Sequence, residues 1–275
     1  MLTCFLINGD NMKLNNESLT LFIPLLAKAQ MSKKGLFLED KKAEEIVSNL
    51  FNTKKVKQNK YLNMFLSLRA KIIDELCNNY LTNNPNTTVI HLGCGLDSRC
   101  LRVKQNYSFW YDVDFENVIK IRKSFYRNYD KYCMVGSSVT DAKWLNKIKK
   151  SENVLVIAEG LTMYLSEEEI KNLILNLGEK FKNFYLVFDA YSKKAVKLSK
   201  IKNPVNKVNA QVKFGMDNFE DLTRLNKNLT FVNQHIIKKK ENNLKGLHKF
   251  LFNNLYCGKT SQKLYKIYEF SFCGK

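Results

Sequence analysis

The fold of this chain is decided by the stretch Thr88-Val-Ile-His-Leu-Gly-Cys-Gly-Leu-Asp-Ser-Arg-Cys-Leu-Arg102. It opens with a short apolar run, turns at Gly93-Cys-Gly95 and continues as a predicted helix. Glycine has no Cβ and tolerates unusual φ, so a strand that ends in Gly-x-Gly lets a nucleotide-like ligand approach the bare backbone. Two glycines are fewer than the three of the dinucleotide fingerprint, and a glycine turn is often only a turn. This stretch alone therefore leaves a ligand-binding loop and a simple turn as alternatives.

Around this stretch, apolar strands alternate with amphipathic helices. The predicted strands are 87–92, 107–113, 133–135, 153–158 and 184–189, and the helices between them are 97–103, 115–126, 141–147 and 166–181. Continuous apolar runs such as Val154-Leu-Val-Ile-Ala158 fit strands that are buried on both faces, and the alternation predicts a parallel sheet. Two later strands, 229–237 and 263–272, with helices at 217–225 and 244–255, extend it. The prediction is an α/β fold with a doubly wound, mostly parallel sheet of seven strands.

The first third of the chain has a different, helical texture. Apolar residues at helical spacing predict helices at 16–30, 41–51 and 61–81. Asp40 is the expected N-cap of the second helix, and Pro24 is the expected site of a kink in the first. We expect an N-terminal helical cap or lid over residues 1–85, a core domain over residues 86–275, and a lid segment near residues 191–216.

Composition places the chain among globular cytoplasmic proteins. The apolar fraction is 45%, and the seven cysteines include no Cys-x-x-Cys pair, which predicts reduced thiols. Three widely separated histidines make a metal site unexpected. The apolar segment 1–7 lacks a basic flank and is too short for a signal peptide, and either Met1 or Met12 fits as the start. With no apolar run of bilayer length, no membrane partner is expected.

The formal charge of +19 arises from 45 Lys and Arg against 26 Asp and Glu. Clustered cations are typical of nucleic-acid surfaces, because such surfaces neutralise phosphates. Here the lysines are spread over the whole length and occur in short runs such as Lys238-Lys-Lys240, as compositional bias alone produces. We therefore expect no nucleic-acid interface and expect the charge to favour a small anionic substrate, with the oligomeric state left open.

Acidic residues follow the predicted strands where a ligand is expected to lie. In an open parallel sheet, ligands bind outside the carboxyl ends of the strands. A ribose-bearing ligand needs a carboxylate about twenty residues beyond the glycines, which is where Asp112 and Asp114 stand. One of the two is expected to bind ribose and the other to cap the next helix. Glu159 ends a central strand and is expected to face the same cleft, whereas Asp189 is compatible with a turn.

Four motifs in order resemble the leucine carboxyl methyltransferase family. They are His91-Leu-Gly-Cys-Gly-Leu-Asp-Ser-Arg99, Trp110-Tyr-Asp-Val-Asp114 with Val118-Ile-Lys-Ile-Arg-Lys123, Ser138-Val-Thr-Asp-Ala-Lys-Trp144, and Ala158-Glu-Gly-Leu-Thr-Met-Tyr-Leu165. The closest resemblance is to the bacterial branch of tetracenomycin-type polyketide O-methyltransferases, and it spans about residues 21–189. It implies the class I, Rossmann-like methyltransferase fold and S-adenosylmethionine as the cofactor.

The resemblance also implies roles for individual residues. Gly93 and Gly95 would lie against the cofactor, Asp114 would hold the ribose hydroxyls, and Glu159 would lie near the methionine end. The pair Ser138-Val139 would contact adenine, where the carboxyl methyltransferases of the family carry Asp-Leu.

Two cations of the helical N-terminus match further family positions. Lys28 and Arg69 would reach over the cofactor, and Arg69 would take its carboxylate. Arginine suits this role because its planar fork matches a carboxylate.

Methyl transfer from a sulfonium is an in-line displacement, so the enzyme mainly aligns the reactants and excludes water. A carboxylate acceptor needs no base, whereas a hydroxyl benefits from one. Tyr164 is the candidate catalytic residue, and Tyr191 and His235 are further candidates for the acceptor pocket. Three alternatives remain open, which are an RNA-directed methyltransferase, a nicotinamide-dependent oxidoreductase, and a cofactor-binding protein without catalysis.

Overall fold

The computed structural model describes residues 6–7, 10–11, 20–50, 59–199, 211–238 and 244–274. Its centre is a sheet of seven strands. These are β1 (Thr88–Leu92), β2 (Phe109–Asp114), β3 (Tyr132–Gly136), β4 (Val154–Ala158), β5 (Asn183–Tyr191), β6 (Leu229–His235) and β7 (Tyr265–Cys273). Leu6–Ile7 and Asp10–Asn11 form a separate antiparallel pair.

The strand order is β3-β2-β1-β4-β5-β7-β6. Strands β1 to β5 pair in parallel, and β7 lies antiparallel between β5 and β6. Every residue of β1 and β4 is buried, as expected for central strands covered on both faces. The predicted doubly wound, mostly parallel sheet of seven strands is therefore confirmed, and its order reverses between β1 and β4.

Helices precede the sheet and cover both of its faces. They are α1 (Phe22–Ser32), α2 (Lys41–Leu50), α3 (Lys60–Asn83), α4 (Arg99–Arg102), α5 (Glu116–Arg122), α6 (Glu167–Lys180), α7 (Lys193–Ser199), α8 (Glu220–Thr223), α9 (Gly246–Tyr256) and α10 (Lys259–Leu264). The predicted helix at 141–147 is a 3-10 helix, Ala142–Lys147, and a second one covers Thr162–Tyr164. Residues 16–19 and 51 of the predicted helices lie outside the described residues.

Two local predictions for the N-terminal helices have different outcomes. Asp40 caps α2 as predicted, because its Oδ1 accepts from the backbone N–H of Ala43 at 2.8 Å. The predicted kink at Pro24 is wrong. Pro24 lies in the first turn of α1, where backbone N–H groups have no partner within the helix and a missing N–H removes no intrahelical bond.

The hydrophobic core has one layer on each face of the sheet. One layer joins α1, α2, α3 and α9 to the inner strands, and the other packs α6 and the 3-10 helix Ala142–Lys147 against the opposite face. The first layer continues from the N-terminal helices into the sheet without a break, so these helices are held by burial of apolar surface. In the part of the chain that the structure describes, no helix has the length and apolarity needed to cross a bilayer.

Candidate active site

A cavity of about 420 Å³ lies at the carboxyl ends of the parallel strands, where the strand order reverses. Helices α1 and α3 form its opposite wall. The nine residues predicted to bind the cofactor or to act in catalysis all line this cavity, which are Lys28, Arg69, Gly93, Gly95, Asp114, Ser138, Val139, Glu159 and Tyr164. Residues that are far apart in the sequence therefore meet in one concave site.

The turn after β1 has a backbone conformation that favours glycine. Gly93 has φ of 61° and Gly95 has φ of 52°, both in the left-handed region. The N–H of Gly93 donates to the carbonyl of Val113 at 2.8 Å, which ties the turn to β2. A Cβ on Gly93 would lie 3.0 Å from Cδ1 of Leu161, which also lines the cavity. Gly93 is thus favoured both by its left-handed backbone conformation and by the lack of room for a Cβ beside Leu161.

Replacing Gly93 by alanine is expected to destabilise the protein more than replacing Gly35. Gly35 has a similar φ of 63°, but a Cβ there meets no atom within 4 Å. Gly35→Ala should therefore cost only the left-handed backbone penalty, about 1 kcal/mol. Gly93→Ala must also shift the side chain of Leu161 by a few tenths of an ångström and should cost about 1 kcal/mol more. Urea denaturation of both variants measures this difference, and equal costs would contradict the steric argument.

Asp114 ends β2 beside the glycine turn and is half-buried. Its Oδ2 accepts from the N–H of Gly95 and its Oδ1 from the N–H of Phe115, both at 2.7 Å. A carboxylate offers about four acceptor positions, so each oxygen keeps capacity for another donor. Burial raises the pKa of Asp114 to about 6, although both backbone N–H groups act to lower it. The geometry suits a pair of ligand hydroxyl groups.

Asp112 does not cap the following helix, so that expectation is wrong. It is fully buried and forms an ion pair with Arg122. Trp110 Nε1 donates to its Oδ1 at 2.8 Å, and the hydroxyl of Tyr132 donates to its Oδ2 at 2.6 Å. Burial acts to raise the pKa of Asp112, but Arg122, His91 and the hydroxyl of Tyr132 lower it to about 2. Asp112 is therefore a structural anion beneath the site.

Ser138 and Val139 lie beyond the end of β3 and form another side of the cavity. The Oγ of Ser138 is 2.8 Å from the Oγ1 of Thr140, and the carbonyl of Val139 accepts from Trp144 Nε1 at 3.2 Å. Val139 is buried, so it presents an apolar surface to the site. A flat apolar ring would fit against this surface.

Arg69 of α3 is buried between two acidic strand ends. Its Nε and Nη2 each lie 2.8 Å from Oε1 of Glu159, and its Nη1 lies 3.2 Å from Oδ2 of Asp189. Asp189 is not a turn residue but lies fully buried within β5, where it accepts from the N–H of Gly160 at 2.6 Å and from the hydroxyl of Tyr265 at 2.9 Å. Arg69 thus links the N-terminal helices to the carboxyl ends of β4 and β5.

Glu159 also contacts a second arginine. Arg99 of α4 forms an ion pair with its Oε2 and donates through Nε to Oδ1 of Asp74 at 2.7 Å. Burial acts to raise the pKa of Glu159, but Arg99 and Arg69 lower it to about 2. Glu159 is therefore ionised at neutral pH, and it joins Arg69 at the wall of the cavity to Arg99, which is buried behind it.

Lys28 is buried at the edge of the cavity, where its Nζ lies 2.9 Å from Oδ2 of Asp97. Asp97 also accepts from Arg102 Nη1 at 2.7 Å, and the same nitrogen lies 2.8 Å from Oδ2 of Asp40. Burial acts to raise the pKa of Asp97, but Arg102 and Lys28 hold it well below its usual range. The motif after Gly95 is thereby connected to α1 and α2 through buried charges.

Residues 20–178 match the family model described as leucine carboxyl methyltransferase. The chain belongs to this family. This leucine carboxyl methyltransferase family member is an S-adenosylmethionine-dependent O-methyltransferase. The match also removes the nicotinamide-dependent oxidoreductase as an alternative.

Two curated relatives agree with the family, and a solved structure shares the fold. The tetracenomycin polyketide synthesis O-methyltransferase TcmP of Streptomyces glaucescens is 29% identical over 76% of this chain and 79% of its own length. The S-adenosyl-L-methionine-dependent methyltransferase dpfgK of Gibberella zeae is 29% identical over 60% of this chain and 61% of its own. A SAM-dependent methyltransferase from Anabaena variabilis shares the fold, with a TM-score of 0.53, 10% identity, and coverage of 75% and 85% of the two chains.

The remaining wall of the cavity in this family member comes from Tyr164, Tyr191 and Lys213, together with apolar side chains of α1 and α3. His235, the third candidate for the acceptor pocket, does not line the cavity. It lies in β6 with its Nε2 at 2.6 Å from Oε1 of Glu269. Tyr191 and Lys213 lie within the lid segment predicted near residues 191–216, of which residues 200–210 lie outside the described residues.

The sequence did not reveal the roles of several buried polar residues that hold the predicted site residues in place. These residues are Asp74, His91, Asp97, Arg99 and Arg102. Four of them lie in or directly after the glycine motif. Ionisable residues placed among apolar ones indicate that the side chains are buried and paired with each other. Asp74 gave no such signal, because it lies in the middle of a long helix.

Proposed function

We propose that the chain transfers the methyl group of S-adenosylmethionine to an oxygen atom of a small anionic molecule. The observation that carries this proposal is the convergence in one cavity of the glycine turn, the Asp114 carboxylate and the Arg69–Glu159 pair. The glycine turn offers a backbone surface without Cβ atoms, and the Asp114 carboxylate offers acceptors for two hydroxyl groups. The Arg69–Glu159 pair offers a guanidinium group that is held in place.

The proposed cofactor side of the cavity uses the strand ends. Gly93 and Gly95 give a backbone surface without Cβ atoms, and the free acceptor positions of Asp114 receive both ribose hydroxyls. Val139 packs against the adenine ring, and Ser138 lies at its edge. Arg69 and Lys28 face the methionine end, where Glu159 holds Arg69 in place. S-adenosylmethionine supplies an activated methyl group at its sulfonium.

The proposed acceptor side is formed by the N-terminal helices and the tyrosines. Ile23, Leu62 and Leu66 contribute an apolar surface that excludes water from the transfer. Helices α1 to α3 would then serve as the cap of the site, as the sequence predicts for residues 1–85. Tyr164 and Tyr191 would orient the acceptor by donating hydrogen bonds, which aligns its oxygen with the methyl group.

Two features support an acceptor that is already ionised. Burial raises the pKa of Tyr191, so its phenol remains a hydrogen-bond donor and is no base at neutral pH. Among the lining acids, Glu159 and Asp97 are neutralised by cations. Glu169 accepts from the backbone N–H of Ser166 at 2.6 Å, and Asp114 is assigned to the ribose hydroxyls. The exposed Lys213 adds a positive charge at the cavity. A carboxylate needs no deprotonation and is favoured by this environment.

Calorimetry with S-adenosylhomocysteine, followed by incubation with methyl-labelled S-adenosylmethionine and a metabolite extract, tests the proposal. We expect binding and a labelled small product whose methyl group is released by mild base, as for a methyl ester. If calorimetry detected no binding of S-adenosylhomocysteine and none of S-adenosylmethionine, the assignment of the cavity as the cofactor site would be refuted. A labelled product resistant to base would instead identify a hydroxyl acceptor and refute the ionised carboxylate.

The affinity for S-adenosylhomocysteine is expected to fall as the solution becomes acidic. The pKa of Asp114 is about 6, so the carboxylate is mostly ionised at pH 7 and mostly protonated at pH 5. If only the ionised form accepts both hydroxyls, Kd should rise by about tenfold between these values. Calorimetry across this range measures it. Asp114→Asn carries no titrating group, and a variant that kept the same pH dependence would contradict the role of Asp114.

A further inference from the structure

Helix α9 carries an apolar face that no described part of the chain covers. Leu247 and Phe250 are 69% and 62% exposed, the two highest values among the large apolar side chains of the described residues. Leu255 on the same helix is also exposed. Residues 247, 250, 251 and 254 share one side of the helix, because helical neighbours recur at three and four positions. Apart from Asn254, this side is apolar.

The opposite side of α9 is anchored to the rest of the protein. Phe252 is fully buried and stacks against Phe37 at 6.4 Å between ring centroids, and Tyr256 stacks against Phe65 of α3 at 4.8 Å. At the N-terminus of α3, Lys60 Nζ lies 3.0 Å from Nε2 of His248. The helix is thus anchored by one side, and its other, apolar side is left exposed by the described part of the chain.

The chain segment that contains α9 and α10 carries lysines as its only acidic or basic residues apart from His248. From Leu244 to Leu264 the chain contains four lysines and no aspartate or glutamate. Lys245, Lys249, Lys259 and Lys263 are all exposed. Long lysine side chains can lay their methylene groups along an apolar surface while the ammonium reaches outward to an anion.

We propose that α9 is the docking surface of this protein for an anionic lipid bilayer. Short amphipathic helices with large apolar side chains and flanking lysines bind in the interface of anionic membranes, where the apolar side enters the acyl boundary and the lysines meet the headgroups. A second copy of this chain fits less well, because its face would bring the same lysines and a formal charge of +19 against the first. The inference does not depend on the proposed acceptor or cofactor residues.

The position of α9 gives this docking a consequence for the cavity. Phe65 contacts α9, and its neighbours in α3, Leu62 and Leu66, line the cavity. Only one helix therefore separates the docking surface from the proposed acceptor side. A docked protein would hold its cavity close to the headgroup region.

Co-sedimentation of the full chain with vesicles tests the proposal. Vesicles of phosphatidylcholine and phosphatidylglycerol in equal amounts should bind the protein, pure phosphatidylcholine should bind it at least tenfold less, and high salt should weaken the binding. The double variant Leu247→Ser with Phe250→Ser should lose at least tenfold in binding to the anionic vesicles. Leu175→Ser, an exposed apolar residue on α6, serves as the matched control and should bind like the wild type.

Thermal melting of all variants checks that folding is retained, which is expected because the changed side chains are exposed. Failure of the wild type to bind anionic vesicles would overturn the proposal. Full binding by the double variant would also overturn it, because charge elsewhere would then explain the attraction. A dimer in analytical ultracentrifugation that the double variant abolishes, without vesicle binding, would assign the face to a second copy.

Discussion

Asp114→Ala is expected to lower the affinity for S-adenosylhomocysteine by about a hundredfold or more. Two hydroxyl donors would lose a charged acceptor, and each such hydrogen bond contributes about 1.5 to 3 kcal/mol. The carboxylate is half-buried at the end of a strand, so its removal leaves no cavity in the core. Calorimetry gives the change in Kd, and thermal melting shows whether the fold is retained.

Asp141→Ala is the matched control for this variant. Asp141 also follows a parallel strand and also accepts from a backbone N–H, that of Lys143 at 3.0 Å, but it is exposed and does not line the cavity. Its removal should leave the affinity unchanged. Equal affinities for the two variants would show that the ribose hydroxyls are held elsewhere and would remove Asp114 from the site.

Arg122→Met is expected to be the most destabilising of the substitutions considered. Arg122 and Asp112 are both fully buried, so the variant leaves an aspartate in the core without its cation. Breaking a buried ion pair from one side costs about 3 to 5 kcal/mol, which corresponds to a melting temperature lower by roughly 10 °C. Arg122 Nη1 also donates to the carbonyl of Gly95 at 3.0 Å, so the glycine turn loses a support.

The exposed pair of Arg224 and Glu167 provides the comparison. Its atoms lie 2.6 Å apart, but both side chains are more than half exposed, so Arg224→Met should cost less than about 1 kcal/mol. Arg122→Met combined with Asp112→Leu should recover part of the lost stability, since no charge is then left buried. Recovery should be incomplete, because Trp110 and Tyr132 lose their acceptor. If Arg122→Met melted like Arg224→Met, the buried pair would contribute little to stability.

The sheet was predictable because its signals are local. Apolar runs such as 154–158 mark buried strands, and the alternation with helices predicts their parallel pairing. Ends of elements were less predictable. The helix predicted at 115–126 ends at Arg122, and the one predicted at 217–225 is limited to Glu220–Thr223, because tertiary contacts decide where an amphipathic pattern stops.

The roles of site residues that belong to a local sequence motif could be predicted from the sequence. The roles of residues that depend on ion pairs with other elements could not. The glycines and Asp114 lie in local patterns whose geometry follows from strand ends. The roles of Asp112 and Asp189 depend on Arg122 and Arg69, which come from other elements and meet them only in the folded chain. The apolar face of α9 was hidden for the same reason, because one-dimensional periodicity cannot tell which side of a helix is left uncovered.

The two walls of the cavity differ in how freely their residues can be exchanged during evolution. The strand ends are constrained by backbone conformation and buried charge, as Gly93 and Glu159 illustrate. The opposite wall carries Lys28 and Arg69 together with aliphatic side chains of α1 and α3, and among these Ile23 and Leu62 are only partly buried and take no part in the ion pairs. Exchange of Ile23 or Leu62 for other apolar residues is therefore a route by which one scaffold acquires new acceptors while it keeps a single methyl donor.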